Sequence, residues 1–238
     1  MMKDHEISIA ARPRPSAIYV VLTCLSLLLV AIATILPAEI AGIPVYDEDG
    51  LIEDLTVLGY ALCAVLILIL GGWAFARTKA LGILAILFLL IFRELNFHTR
   101  FTTMSMTKTS FYLSADVPFV EKLAAILVGA FVIWVGLTVV LRYARPFLIG
   151  LRARQPMILA IACAMIGAVL SEVLDGLRRK LADVGLVLPE SSEQVFTRFE
   201  ETIELGIPLF LIIAVVMYFS SRNLEESRAL GQRREGGS

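Results

Sequence analysis

Six ionisable side chains at the ends of apolar segments are the residues of this chain best suited to chemistry. Five are carboxylates and one is a histidine, and carboxylate oxygens with an imidazole nitrogen suit a hard or borderline divalent metal ion. The same groups can relay protons, because a neighbouring carboxylate fixes the tautomer of an imidazole. The set therefore predicts a site for a divalent metal ion, whose identity the sequence leaves open. The six predicted site residues are Glu94, His98, Glu172, Asp175, Glu201 and Glu204.

Glu94 and His98 lie where one apolar segment ends. They are four residues apart and so share one face of a helix. The chain has one other histidine, His5, near its N-terminus, so a three-histidine zinc site is excluded by count. A metal-binding or proton-transfer pair and a simple hydrogen bond at a helix end are both compatible with this spacing.

A stripe of small residues predicts the direction of the next acidic pair. Ala160, Ala164 and Ala168 recur at steps of four, and such stripes let membrane helices approach closely. One further step of four reaches Glu172, so we expect Glu172 to face neighbouring helices, with Asp175 three residues on. This face is interpreted either as a set of ligands or as an interhelical salt bridge.

Three glutamates open the last apolar segment. Glu201 and Glu204 fall on one helix face, and Glu200 is turned about 100° from Glu201 because a helix has 3.6 residues per turn. The helix dipole favours acidic residues in a first turn. Glu204 is followed by a continuous apolar run, so we expect its carboxylate to be buried. Pro208 predicts a kink close to it.

The apolar segments that carry these residues are short. A spanning helix needs about 20 residues to cover about 30 Å of hydrocarbon, whereas the runs 80–92, 157–170 and 205–219 contain 13, 14 and 15 residues. Each run reaches spanning length only if its acidic residues are included. The six predicted site residues are therefore placed inside the bilayer or at its rim, where ionisable groups usually face a bundle interior.

Composition identifies the class of protein. Of the 238 residues, 58% are hydrophobic and the mean hydropathy is +0.82, against about 45–50% apolar residues in soluble domains. We predict an all-α, polytopic transmembrane helical bundle. A net charge of −1 leaves no basic face for nucleic acid, and the three cysteines lack the paired spacing of a metal or redox site. The six predicted spans are about 17–37, 55–75, 80–100, 121–142, 157–177 and 201–219.

Basic residues are distributed unevenly between the two sides of this topology. The two tails, the turn between spans two and three and the loop between spans four and five together hold 13 of the 21 Lys and Arg residues. The first loop on the other side, 38–54, is acidic and has no basic residue. The positive-inside rule then places both termini in the cytoplasm, and all six predicted site residues at the outer end of the bundle.

The same topology divides the chain into three parts. We predict a cytoplasmic N-terminal tail (1–16), a six-helix transmembrane domain (17–219) and a cytoplasmic C-terminal tail (220–238). The apolar run after Arg12 and Arg14 is longer than the apolar region of a secretory signal, so we expect a retained signal anchor. The expected location is a bacterial inner (plasma) membrane.

Three functions fit these observations. The first is an outward-facing intramembrane site for a divalent cation or a lipid headgroup, with metal-activated hydrolysis of a lipid as an extension. The second is a non-catalytic accessory or scaffold subunit whose charges fix helix register or receive a protein partner's span. In such a scaffold, Arg93, Arg100 and Arg198 would neutralise the acidic side chains. Alternatively, the same arginines could hold a lipid phosphate. The third, a proton- or cation-coupled transporter, is disfavoured because the inner halves of the spans are almost wholly apolar. Membrane lipid is the partner common to all three, and no catalytic residue is assigned.

Overall fold

Helices make up nearly all of the structure, a computed structural model that describes residues 17–47, 49–96, 109–189 and 191–235. Side chains are described throughout these ranges except at 109–110 and 223–235. In chain order the elements are α1 (Ala17–Ile35), β1 (Glu39–Ile40), β2 (Ile43–Pro44), α2 (Leu51–Phe75), a π-helical turn (Ala76–Ala80), α3 (Leu81–Glu94), α4 (Thr109–Leu113), α5 (Phe119–Arg152), α6 (Pro156–Leu174), α7 (Leu177–Asp183) and α8 (Ser191–Glu235).

Five helical stretches in the described part of the chain are long and apolar enough to cross a membrane. They are α1, the stretch Leu51–Glu94 that contains α2 and α3, α5, α6, and the part of α8 between Ser191 and Arg222. The chain is therefore a helical, multi-pass integral membrane protein, as its composition predicts.

The stretch Leu51–Glu94 folds back on itself. Its 44 residues would extend about 66 Å as one straight helix at 1.5 Å per residue, roughly twice the hydrocarbon thickness. Gly72 breaks the helix with a φ of 71°, a backbone conformation that glycine adopts without steric cost. At the far ends of the stretch, the Asn96 side-chain amide donates a hydrogen bond to Glu53 at 3.4 Å. Contact between residues so distant in sequence requires that α2 and α3 form an antiparallel pair.

The first part of α8 is the centre of the bundle. Helices α1, α2 and α6 all pack against it. On α6, Ala160 and Ala164 are buried, and a side-chain carbon added at Gly167 would come within 3.3 Å of Ile207 on α8. Small residues thus bring the two helices close together, which confirms the predicted packing role of Ala160 and Ala164, whereas Ala168, the third residue of the predicted stripe, is exposed.

A small β-hairpin closes one end of the bundle, here called the hairpin end. Strands β1 and β2 are antiparallel, and Ala41 and Gly42 between them both have positive φ, as a tight two-residue hairpin turn requires. After β2, the side chains of Val45 and Tyr46 are buried. The Tyr46 hydroxyl donates a hydrogen bond to the Ala33 carbonyl at 2.5 Å. The connection between α1 and α2 is therefore packed onto the bundle.

Basic segments meet at the opposite end, here called the basic end. The Tyr143 hydroxyl of α5 donates a hydrogen bond to the Lys79 carbonyl in the π-helical turn at 2.9 Å. The Arg222 guanidinium of α8 lies 5.9 Å from the centre of the Phe75 ring. Basic residues from three separate parts of the chain thus lie at one end of the bundle.

Helix α5 is longer than the sequence predicts. The loop predicted between spans four and five is helical as far as Arg152, and only residues 153–155 connect α5 to α6. Proline lacks one backbone N–H and removes one helical hydrogen bond, yet the helix continues through Pro146. The prediction that this segment is a loop is therefore wrong.

Candidate functional site

A buried ion pair joins α3 to α8 near the hairpin end. The Arg93 guanidinium, at the end of α3, donates a hydrogen bond from Nη2 to Glu204 Oε1 at 2.8 Å. Glu204 is buried, as its position before a continuous apolar run predicts. It lies more than three turns inside α8, which begins at Ser191. The helix dipole therefore does not account for this carboxylate, because that effect falls off within the first turn.

Glu94 is the second buried carboxylate at this junction. It is 6% exposed, and its Oε1 lies 3.6 Å from Nη1 of Arg93. That oxygen accepts no hydrogen bond in the described part of the structure. Glu94 is also close enough to Glu204 for the two carboxylates to repel each other when both are ionised. One guanidinium thus serves two buried acids, and one oxygen is left without a donor, which is costly in a buried site.

Glu53 contributes a third buried carboxylate, from the start of α2. It accepts a hydrogen bond from the Asp49 backbone N–H at 2.6 Å and the one from Asn96 described above. Glu53 is absent from the six predicted site residues, although it opens an apolar span at the same depth as the others. This shared depth is the sequence feature that could have identified Glu53 as a site residue. The hydrogen bond from Asn96 to Glu53 could not be predicted from the sequence, because the two residues are 43 positions apart.

Glu201 completes the group. It is half-buried one turn before Glu204 and interacts electrostatically with Glu204, Glu53 and Glu94. We call Glu53, Glu94, Glu201 and Glu204 the carboxylate cluster. Three of the six predicted site residues therefore lie together, on α3 and α8.

The structure places Glu172 differently from the sequence prediction. Its side chain is exposed, and the neighbouring Ser171 is buried instead. Three steps of four residues, from Ala160 to Glu172, rotate the position by about 120° because a helix has 3.6 residues per turn. Eleven residues return almost to the same face, and they lead from Ala160 to Ser171. The expectation that Glu172 faces neighbouring helices is therefore wrong.

Of the two remaining predicted site residues, only Asp175 is described, and it does not join the carboxylate cluster. Asp175 follows the end of α6 and is exposed, and it interacts electrostatically with Glu200. His98 lies outside the described residues. Within residues 17–47, 49–96, 109–189 and 191–235, no three His, Cys, Asp or Glu side chains are grouped as metal ligands.

The chemistry of the carboxylate cluster follows from its charge. Arg93 contacts two of the four carboxylates, Glu94 and Glu204, and both of these are buried. Excess negative charge in a buried site is relieved by a bound cation or by protonation. This arrangement is suited to holding a cation or to fixing the position of helices.

Comparison with known proteins adds no family assignment. No family model, curated protein or solved structure matches this chain. A functional proposal therefore rests on the geometry of the carboxylate cluster and on the membrane topology.

Proposed function

We propose that this chain crosses a bacterial inner membrane six times, with both termini in the cytoplasm. The return of α2 and α3 supports two crossings for the stretch Leu51–Glu94, which brings five helical stretches to six spans. The collection of basic side chains at one end supports a cytoplasmic location for that end, because Lys and Arg are retained on the cytoplasmic side. The hairpin end and the carboxylate cluster then face outward.

We further propose that the protein binds a cation at the carboxylate cluster. The observation that carries this proposal is the Glu94 carboxylate, which is buried, beside Glu204, and has one oxygen without a hydrogen-bond donor. A cation between Glu94 and Glu204 would satisfy that oxygen and remove the repulsion between the two carboxylates. Arg93 neutralises the charge of one carboxylate. The remaining carboxylates give the cluster a negative charge, which attracts a cation rather than an anion.

Two sources of positive charge suit the carboxylate oxygens of this cluster. One is a divalent ion, which prefers carboxylate oxygens when it is hard or borderline in character. The other is the ammonium group of a lipid headgroup, which carboxylates bind by charge-assisted hydrogen bonds.

The test compares three acid-to-amide variants in purified, detergent-solubilised protein. Mn²⁺ binding is followed by electron paramagnetic resonance, and co-purifying ethanolamine lipid by native mass spectrometry. We expect Glu94→Gln and Glu204→Gln to weaken whichever cation is bound by at least about tenfold, the order expected for loss of one charged hydrogen-bonding partner. Glu172→Gln, an identical change at an exposed position, is the matched control and should leave binding unchanged.

Three outcomes decide between the sources. Saturable Mn²⁺ binding that both variants lose supports a divalent ion. Retention of ethanolamine lipid that both variants lose, without Mn²⁺ binding, supports an ammonium ligand. Wild-type protein that binds neither, or variants that bind as the wild type does, would refute cation binding at this cluster.

A second function, that of a scaffold or accessory subunit in a membrane complex, is favoured by a different contact. The 2.8 Å pair of Arg93 and Glu204 ties the end of α3 to α8, and a buried polar pair can fix how two helices align. In that case the cluster holds helix register, and acid-to-amide changes lower stability or disrupt assembly without releasing any bound cation. Thermal unfolding and recovery of partner proteins in mild detergent distinguish this function from the first.

A further inference from the structure

A polar groove lies above the carboxylate cluster at the hairpin end. Its volume is about 490 Å³, within the usual range for a small-molecule site. One wall is the loop around the β-hairpin, with Glu39 and Asp47, and the other is the start of α8, with Glu193, Thr197 and Arg198. Arg198 precedes Glu204 by six residues, or about 9 Å along the helix axis. The groove thus lies just before the apolar part of α8, which is the expected level of phospholipid headgroups in the proposed topology.

Arg198 is held in place without using its hydrogen-bond donors. Its guanidinium lies 4.8 Å from the centre of the Tyr46 ring, in the geometry of a cation–π contact. Tyr46 itself is buried and anchored by its hydroxyl to the Ala33 carbonyl. In the described part of the structure Arg198 forms no ion pair with a carboxylate. A half-buried guanidinium with free N–H groups in a groove is suited to a phosphate or another oxyanion.

The opposite wall of the groove carries negative charge. Glu39 and Asp47 are exposed on the loop and form no ion pair with a described residue. Glu193 is instead neutralised by Arg178, with a nitrogen–oxygen distance of 2.8 Å. Among the described residues, the groove therefore has one guanidinium and two carboxylates that form no ion pair, which suits a ligand with an anionic group and a cationic group at its two ends.

We propose that this groove binds a zwitterionic phosphoethanolamine group, with its phosphate at Arg198 and its ammonium toward Glu39 and Asp47. The group can belong to a bilayer phospholipid or to a soluble phosphoester. The volume of the groove exceeds what a single small ion requires, and the proposed topology places the groove at the level of the headgroups. This site is independent of cation binding at the carboxylate cluster, because it uses different residues.

Two probes identify the source of the ligand. Soluble glycerophosphoethanolamine is titrated calorimetrically against detergent-purified protein, and nanodiscs containing phosphatidylethanolamine or phosphatidylglycerol are compared by native mass spectrometry. Binding of the soluble probe indicates a soluble phosphoester, whereas enrichment of phosphatidylethanolamine in the nanodisc alone indicates a bilayer lipid. Equal retention of the ethanolamine and glycerol lipids by the wild type would overturn the proposal, because it shows no recognition of the ammonium group.

Variants on the two walls of the groove test separately the recognition of the phosphate and of the ammonium group. Arg198→Gln should weaken binding at least about tenfold, whereas Glu39→Gln combined with Asp47→Asn should abolish the preference for the ethanolamine lipid. Arg142→Gln is the matched control, since Arg142 lies 5.5 Å from the Tyr143 ring at the basic end and should have no effect. Unchanged binding by the Arg198 variant would refute the assignment.

Folding and the carboxylate cluster are checked in the same samples. Arg198→Lys keeps the charge but loses the planar fork of donors, so a folded Lys variant with intermediate binding supports a direct contact. Mn²⁺ binding, if present in the wild type, should be unchanged in Arg198→Gln. Loss of both bindings together would show a general structural defect and contradict two independent sites.

Discussion

Removal of the Arg93 side-chain charge is the sharpest test of the junction between α3 and α8. Arg93→Met keeps much of the apolar stem and deletes the guanidinium that lies 2.8 Å from Glu204 and 3.6 Å from Glu94. At an effective dielectric constant near 20, two unit charges 2.8 Å apart attract by about 6 kcal/mol before desolvation is considered. The substitution leaves two adjacent buried carboxylates with no cation beside them.

The net loss of stability is smaller than this attraction. Breaking a buried ion pair costs about 3–5 kcal/mol, and the Arg93 side chain is 45% exposed whereas that of Glu204 is 7% exposed. We therefore expect about 3 kcal/mol, at the lower end of that range. With about 2–4 °C per kcal/mol for a chain of this size, the midpoint of thermal unfolding should fall by about 6–12 °C.

Glu204→Gln should cost less than Arg93→Met. After Glu204→Gln, the guanidinium still has Glu94 at 3.6 Å and remains partly solvated, so we expect about 1 kcal/mol. The double variant should be more stable than the sum of the two single losses predicts, because one of the stranded carboxylates is gone. Unfolding in detergent, followed by circular dichroism, measures all three.

Arg178→Met is the control for burial. Arg178 pairs with Glu193 at the same 2.8 Å distance, but the two side chains are 38% and 58% exposed. Exposed pairs contribute at most about 1 kcal/mol, so the midpoint should shift by less than about 4 °C. Equal effects of the Arg93 and Arg178 substitutions, or purely additive losses in the double variant, would refute the argument that burial strengthens the junction.

Two further predictions concern packing and topology. Gly59→Ala should destabilise the protein by about 1–3 kcal/mol, because the new side-chain carbon would lie 2.8 Å from Pro208 on α8. The control Gly136→Ala, whose new carbon meets nothing within 4 Å, should be neutral or slightly stabilising. Equal unfolding midpoints for the two variants would contradict the close packing of α2 against α8. The orientation is tested in a variant that lacks the native cysteines. Asp47→Cys should react with a membrane-impermeant thiol reagent added to intact spheroplasts, whereas Thr78→Cys should react only after lysis. The reverse pattern would invert the proposed orientation.

The sequence alone was sufficient to predict the membrane class, the helical content and the burial of Glu204. Apolar runs of this length require helices in a bilayer, because each backbone group must be hydrogen-bonded within its own segment. Likewise, a glutamate directly before a continuous apolar run is carried into the bundle with that run. These properties depend on neighbours along the chain, so they can be predicted without knowing how helices are arranged.

The tertiary structure decided which acids meet. Glu94 and Glu204 are brought together where the end of α3 meets α8 through the Arg93–Glu204 pair, and Glu53 joins them because the chain reverses near Gly72. Glu172 was misplaced because a step of four residues is not a full helical repeat, and a small rotation error accumulates along a helix. Contacts between residues far apart in sequence depend on helix rotation and on the path of the chain, and hydropathy along a single chain carries no information about either.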